Sequence, residues 1–350
     1  MIPVLIVLAC LAVAWISAVV ALQIWCRWNP RTDALHFAAT GDGWEPALHE
    51  IRPVPDAPAG PRPVILCHGI LMSRHCWLPR EGVPSVADSL RRRGYSLWVL
   101  ELRGSGASRT SRADRWDYGF RDYADFDLMA AVEEVKRRTG APRVDWVAHS
   151  LGGMVAYAYL SRHGAGSLHK VVTLGSPVRL GGHIMGLPRL PFVDAALRTM
   201  RSVDLSILTR AVAPLLIPAW LPWVELFMNA RRVPRRSSLG AFCWGVQRTA
   251  TRMIRDLHEW YRAGEPFLPR VARTEAPYAH PPGGILALHG RRDRLATPAN
   301  VGTLTQWFPR ALVEAADQPG GRGFGHLDLL AGPPEVERVA ERIDRFLRET

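Results

Sequence analysis

The stretch RVDWVAHSLGGMVAYAYL, which begins at Arg143, passes from a strand-like apolar run into a helix-like one with no loop between them. The run stops at Ala148, Ser150 follows, and Gly152 and Gly153 open the helical pattern. A turn this sharp holds one side chain in a strained, exposed position, and bulk two places before or after it would clash. Ala148 and Gly152 occupy those two places, and Gly153 lets the helix approach the strand. The pattern is the small-x-Ser-x-Gly turn that presents a nucleophilic hydroxyl, with alanine where a first glycine is commonest.

The rest of the chain constrains the architecture around that turn. From about residue 63, apolar runs alternate with amphipathic stretches. Strands are expected at 64–67, 95–102, 143–148, 170–175, 284–290 and 311–316, and helices at 83–94, 122–140, 152–164 and 334–349. Such alternation predicts an α/β fold with a mostly parallel sheet and helices on both faces. Its 350 residues, 48% apolar, suffice for one large domain with a sizeable core. A formal charge of +12 is spread in short arginine runs, none long enough for a nucleic-acid tail, so no nucleic-acid partner is expected. Five scattered cysteines, with no Cys-x-x-Cys pair, make no disulfide framework.

Residues 2–26 carry no formal charge. At ~1.5 Å per residue, a helix of that length exceeds the ~30 Å hydrocarbon core of a bilayer. Residues 1–27 therefore read as a transmembrane anchor, with a cleaved signal peptide as the competing reading. Arg27 and Arg31 follow the span with no basic residue before it, which favours a cytoplasmic catalytic body. Residues 28–62, proline-rich toward their end, read as linker and edge segment, so removing residues 1–30 is expected to release a soluble body.

A serine hydroxyl needs a base, a group to orient that base, and donors for the oxyanion. Among twelve histidines, His326 alone follows the last strand in a glycine-rich loop, GGRGFGHLDLL, ahead of a helix-forming run. His149 and His289 read as packing residues, and His163, His169, His258 and His280 as solvent-facing. Asp293 sits in a turn just beyond a strand; Asp317 and Asp328 are its rivals for the acid. The order Ser150, Asp293, His326 suits this architecture. The oxyanion donors would be the backbone N–H of Leu151 and that of Ile70, in VILCHGILM, with Leu71 as the fallback.

Taken in order, HGI, AHSLGG, GRRDRLATP and GHLDLL resemble the α/β-hydrolase superfamily over roughly residues 60–350. HGILMSRHCW, GYSLWVLELRGSGAS and GHLDLL are similar to the acid-lipase-like branch of serine lipases and esterases, which implies carboxylic-ester hydrolysis on lipid-like substrates. Two departures stand against that branch: Ala148 at the turn, and Gly325 where acid lipases usually carry asparagine before the base.

An insertion of about residues 178–280 holds Met185, Phe192, Trp220, Trp223, Phe227, Met228, Phe242 and Trp244, with Pro214, Pro218 and Pro222 between them. So apolar a segment reads as a helical cap over a serine site that takes acyl chains. The same triad would serve an acyltransferase or a thioesterase, and a catalytically silent binding module is the reading from another class. RGSGAS lacks the third glycine of a dinucleotide loop, and HEWY the second histidine of a zinc helix. Neither cofactor nor metal is expected.

Overall fold

Val64–Cys67 and Leu97–Glu101 are buried along their whole length, which is why continuous apolar runs can form strands only inside a sheet covered on both faces. The computed structural model describes residues 2–78, 83–181, 195, 197–216, 227–228, 235–264, 267–268, 278–318, 320–321, 323–330 and 335–349. Among these residues the main sheet has eight strands: β1 (Ala34–Phe37), β2 (Ala47–Ile51), β3 (Val64–Cys67), β4 (Leu97–Glu101), β5 (Val144–His149), β6 (Leu168–Leu174), β7 (Ile285–His289) and β8 (Leu312–Ala315). They lie in the order β1-β2-β4-β3-β5-β6-β7-β8. Only β2 runs against its neighbours; the pairings from β4 across to β8 are all parallel. The strand order switches between β3 and β5, and an open α/β sheet gathers its functional groups at the carboxyl ends of strands beside such a switch.

Helices Val86–Arg92 and Glu335–Arg348 cover one face, packing Val86, Leu90, Val336 and Ile343 against Leu66 and Val147. On the other face lie Leu151–His163 and a composite helix from Phe120 to Thr139. The sequence suggests one regular helix over 122–140, but its Tyr123–Leu128 turn is π-helical, and Gly140, at φ 71°, ends it. Segment 28–62 supplies strands at the sheet edge. β1 and β2 extend the sheet from it, yet ALHF and ALHEI mix histidine and glutamate into runs too short to show a strand period. His258, expected in solvent, is buried on the inner side of helix Thr251–Ala263.

The helix Ile2–Cys26 is long and apolar enough to cross a membrane, and most of its side chains are exposed. Described parts of the insertion include helices Leu205–Val212 and Arg235–Gly240, besides Thr251–Ala263, as well as an antiparallel pair, Ser202–Asp204 with Arg248–Ala250, that its composition does not reveal. Met228 is buried in the insertion's own small core, with Phe242 and Trp244 packed against it. Met185, Phe192, Trp220, Trp223, Pro218 and Pro222 lie outside the described residues.

A buried carboxylate ties the sheet to the loop after β3. Glu101 is fully buried, and its side chain accepts from His49 Nε2 at 2.9 Å, Arg74 Nη1 at 3.1 Å and the Ala107 N–H at 2.7 Å. Burial alone pushes this carboxyl upward; the hydrogen bond from His49, the charges of His49 and Arg74 and the Ala107 N–H outweigh it and hold the group well below the usual carboxylate range. A carboxylate with a depressed folded pKa adds stability above its unfolded pKa and loses it as pH falls toward the folded value. The urea midpoint should therefore fall between pH 7 and pH ~3.5, and fall by less in Glu101→Gln. Equal falls in the two proteins would exclude Glu101 as a source of the acid sensitivity.

Candidate active site

Ser150 stands at the end of β5 with φ 51° and ψ −117°, a left-handed conformation that costs a non-glycine residue roughly 1–3 kcal/mol. Its neighbours hold it there. The Ser150 N–H donates to the Leu174 carbonyl at 2.9 Å, and its own carbonyl accepts from Gly153 at 3.0 Å. The glycines are required by space: a Cβ at Gly152 would stand 2.8 Å from the carbonyl oxygens of Cys67 and His68, and one at Gly153 would stand 2.2 Å from Ser176 Oγ.

The three residues singled out for a triad come together from three strand ends. His326 Nε2 lies 2.9 Å from Ser150 Oγ, and its Nδ1 lies 2.7 Å from Asp293 Oδ2. An ionised carboxylate only accepts, so Nδ1 carries the proton and Nε2 is free to take one from the serine. Asp293 is itself held, its Oδ1 accepting from the N–H groups of Leu295 at 2.9 Å and Ala296 at 2.8 Å. Both Asp293 and His326 are almost wholly buried. The rival acids are engaged elsewhere: Asp317 accepts from the Arg291 N–H at 2.9 Å, and Asp328 from the Gly325 N–H at 2.8 Å, bracing the loop that carries His326.

The loop after β3 is fixed by a histidine. His68 Nε2 accepts from the Leu102 N–H at 3.1 Å, so its proton sits on Nδ1, which donates to the Gly69 carbonyl at 2.8 Å. Burial pushes its pKa down and keeps the ring neutral. Ile70 and Leu151 follow this loop and Ser150 directly, and among the described residues neither N–H has a hydrogen-bond acceptor. Leu71, the fallback, has φ 56°, and its carbonyl accepts from the Gln247 N–H at 2.8 Å.

Four residues make contacts at the site that the sequence alone does not assign. His149 Nε2 donates to the His326 carbonyl at 3.1 Å, with the two rings 4.6 Å apart. Burial, aided by the nearby His326, pushes its pKa far down, so it holds the His326 carbonyl as a neutral donor. Gly175, at φ 58°, clears the floor beneath the pair: a Cβ there would stand 3.0 Å from Asp293 Oδ2 and 3.1 Å from His326 Nδ1. From the insertion, Phe227 accepts from the Leu327 N–H at 2.7 Å, and Gln247 holds Leu71. Only Gly175 left a trace in the sequence, as the glycine ending the strand run KVVTLG. Among the described residues no cluster of histidine, cysteine and carboxylates could hold a metal ion.

A family profile described as alpha/beta hydrolase fold matches residues 62–321. Lipase lipl-5 of Caenorhabditis elegans is 26% identical over 176 residues, which are 47% of this chain and 43% of the relative. The gastric triacylglycerol lipase of Homo sapiens is 29% identical over 109 residues, 29% of this chain and 27% of the relative. The chain thus spans less than half the length of these curated relatives. An esterase from Exiguobacterium antarcticum superposes with a TM-score of 0.57 at 17% identity, over 89% of this chain and 99% of the other. The enol-lactonase from Burkholderia xenovorans LB400 does so with 0.54 at 18%, over 90% and 100%. These two share its fold. With the profile covering most of its length from β3 to the loop before His326, the chain belongs to the α/β-hydrolase fold family.

Proposed function

We propose that this chain is a membrane-tethered serine hydrolase that cleaves carboxylic esters with long acyl chains. The observation that carries the reading is the unbroken relay from Ser150 Oγ through His326 to Asp293. Ser150 Oγ attacks the ester carbonyl as its proton passes to His326 Nε2. Asp293 holds Nδ1–H and stabilises the imidazolium. The N–H groups of Ile70 and Leu151 receive the oxyanion. His326 then gives its proton to the departing alcohol, and water, deprotonated by the same nitrogen, releases the acid and restores the serine. None of these steps calls for a cofactor.

The lipid-like substrate is supported by the lipases among the relatives and by the apolar insertion that touches the base loop through Phe227. The tether is supported by the uncharged helix Ile2–Cys26, and Arg27 and Arg31 behind it favour a cytoplasmic body.

Hydrolysis of aryl esters by the detergent-solubilised full chain should rise with acyl length and then level off, with roughly 0.8 kcal/mol per buried methylene until the groove is full. A preference for acetyl esters over all longer ones would contradict the substrate class. Ser150→Ala should lower kcat by on the order of 10⁴ with the fold unchanged. Asp293→Asn should come close to that, while Asp317→Asn and Asp328→Asn stay far milder; the reverse ranking would move the acid elsewhere.

Gly175→Ala should act on geometry alone. Its Cβ presses on the aspartate–histidine contact, so kcat should fall by about 10²-fold with KM little changed, as for a misplacement of about 1 Å. Unchanged kcat would mean that the pair tolerates displacement.

A further inference from the structure

The anchor does not run into a free linker. Leu22 and Cys26, in its last turns, are buried with Ala213, Met228, Leu239 and Cys243 of the insertion. Trp28 stands so close to Gly240 that a Cβ there would lie 2.4 Å from the indole ring, and its Nε1–H donates to the Leu78 carbonyl at 3.2 Å. Arg236 Nε donates to the Trp25 carbonyl at 2.9 Å. A spanning helix fixed in this way would set the height and tilt of the cap relative to the bilayer, which a flexible tether cannot do. It also changes the expectation for removing residues 1–30: that cut would strip one wall from the cap's core.

The surface beside this junction is apolar and uncovered. Along Leu205–Leu215, Ile207, Leu208, Ala211 and Leu215 recur at the spacing of one helical stripe, and the three large side chains are 67%, 57% and 51% exposed. Met200, just before the ribbon that leads into this helix, is 50% exposed. Elsewhere outside the anchor, the exposed large apolar side chains among the described residues are only Leu35, Met129 and Leu312, one to each of three separate elements. Arg210 is the sole charge in the stretch, and it turns away from the stripe: its Nε donates to the Cys243 carbonyl at 2.9 Å, and its guanidinium lies over Trp244. Its opposite side is occupied as well, Ala213 being buried against Leu22 and Cys26 of the anchor.

We propose that the Leu205–Leu215 stripe is seated at the boundary between headgroups and acyl chains of the bilayer that the anchor crosses. The proposal rests on the anchor reading above. The lipid surface is the occupant because the helix bearing the stripe packs by its other side, through Ala213, against the end of the span, which sets the stripe beside the bilayer, and because an apolar face whose one charge, Arg210, turns away from it suits a lipid interface. The same cap residues reach the site: Met228 shares the core with the anchor, and the adjoining Phe227 carbonyl holds the loop of His326.

The test uses the full chain in vesicles of phosphatidylcholine and phosphatidylglycerol. A nitroxide is attached at Ile207→Cys, or for reference at Arg137→Cys, with Cys10 and Cys76 replaced by alanine. The label at 207 should relax faster with oxygen than with a water-soluble nickel chelate, and the label at 137 the reverse. Equal accessibility to the chelate at both positions in a vesicle-bound chain would overturn the proposal alone. A label at 207 shielded from both reagents would overturn it in favour of a second copy or another protein on the stripe. Release of the chain from vesicles by carbonate would overturn the anchor reading and this proposal with it. In activity, Ile207→Asp with Leu208→Asp should lower hydrolysis of vesicle lipid ~10-fold or more and change that of a dispersed short ester less than ~2-fold. Equal loss on both substrates would contradict it.

Discussion

Everything in the site depends on one backbone conformation, the left-handed turn at Ser150. A serine at φ 51° is unfavourable, so the fold must over-determine it, and it does so from three sides. The bond to Leu174 fixes the start, Gly153 closes the first helical turn, and the carbonyls of Cys67 and His68 fill the space that any side chain at Gly152 would need. The strain aims the hydroxyl away from the sheet at a histidine that arrives 176 residues later in the chain. The parallel sheet matters to function chiefly as the frame that keeps β3, β5, β6, β7 and β8 in register, so that loops from five strand ends meet at one point.

A second dependence links that point to the cap. Phe227 reaches the loop of His326, and Gln247 holds the loop of the proposed oxyanion donor. Both belong to an insertion whose core is completed by Leu22 and Cys26 of the N-terminal helix. One continuous set of contacts thus runs from the apolar helix, through Met228 and Cys243, to both halves of the site. This is a packed chain of neighbours, and any change that loosens the cap core acts on the geometry of His326 and Leu71 together.

How much of this was legible beforehand follows from where each signal lies. Strands β3 to β8 are readable within two residues: β3 to β7 are largely buried apolar runs, and burial on both faces leaves a continuous pattern, while β8, half-buried at the sheet edge, shows as a short apolar stretch. That Ser150, Asp293 and His326 come together is legible as an expectation because a strand end, a small residue or a glycine-rich loop marks each of them locally. β1 and β2 were missed because their pairing, with His49 turned onto buried Glu101, is a tertiary fact with no apolar period. His149 was read as a packing residue, and its donor role toward the His326 carbonyl depends on a contact across 177 positions. Phe227 and Gln247 act through backbone atoms, which leave no residue-type signature at all.

The central claim is that Ser150 is the nucleophile, made reactive by His326. Its most direct test is mass mapping of the full chain after brief exposure to a fluorophosphonate. The account requires a single adduct on the peptide carrying Ser150, formed many times more slowly in His326→Ala and absent in Ser150→Ala. An adduct on any other residue, or labelling at Ser150 that keeps its full rate without His326, would contradict it.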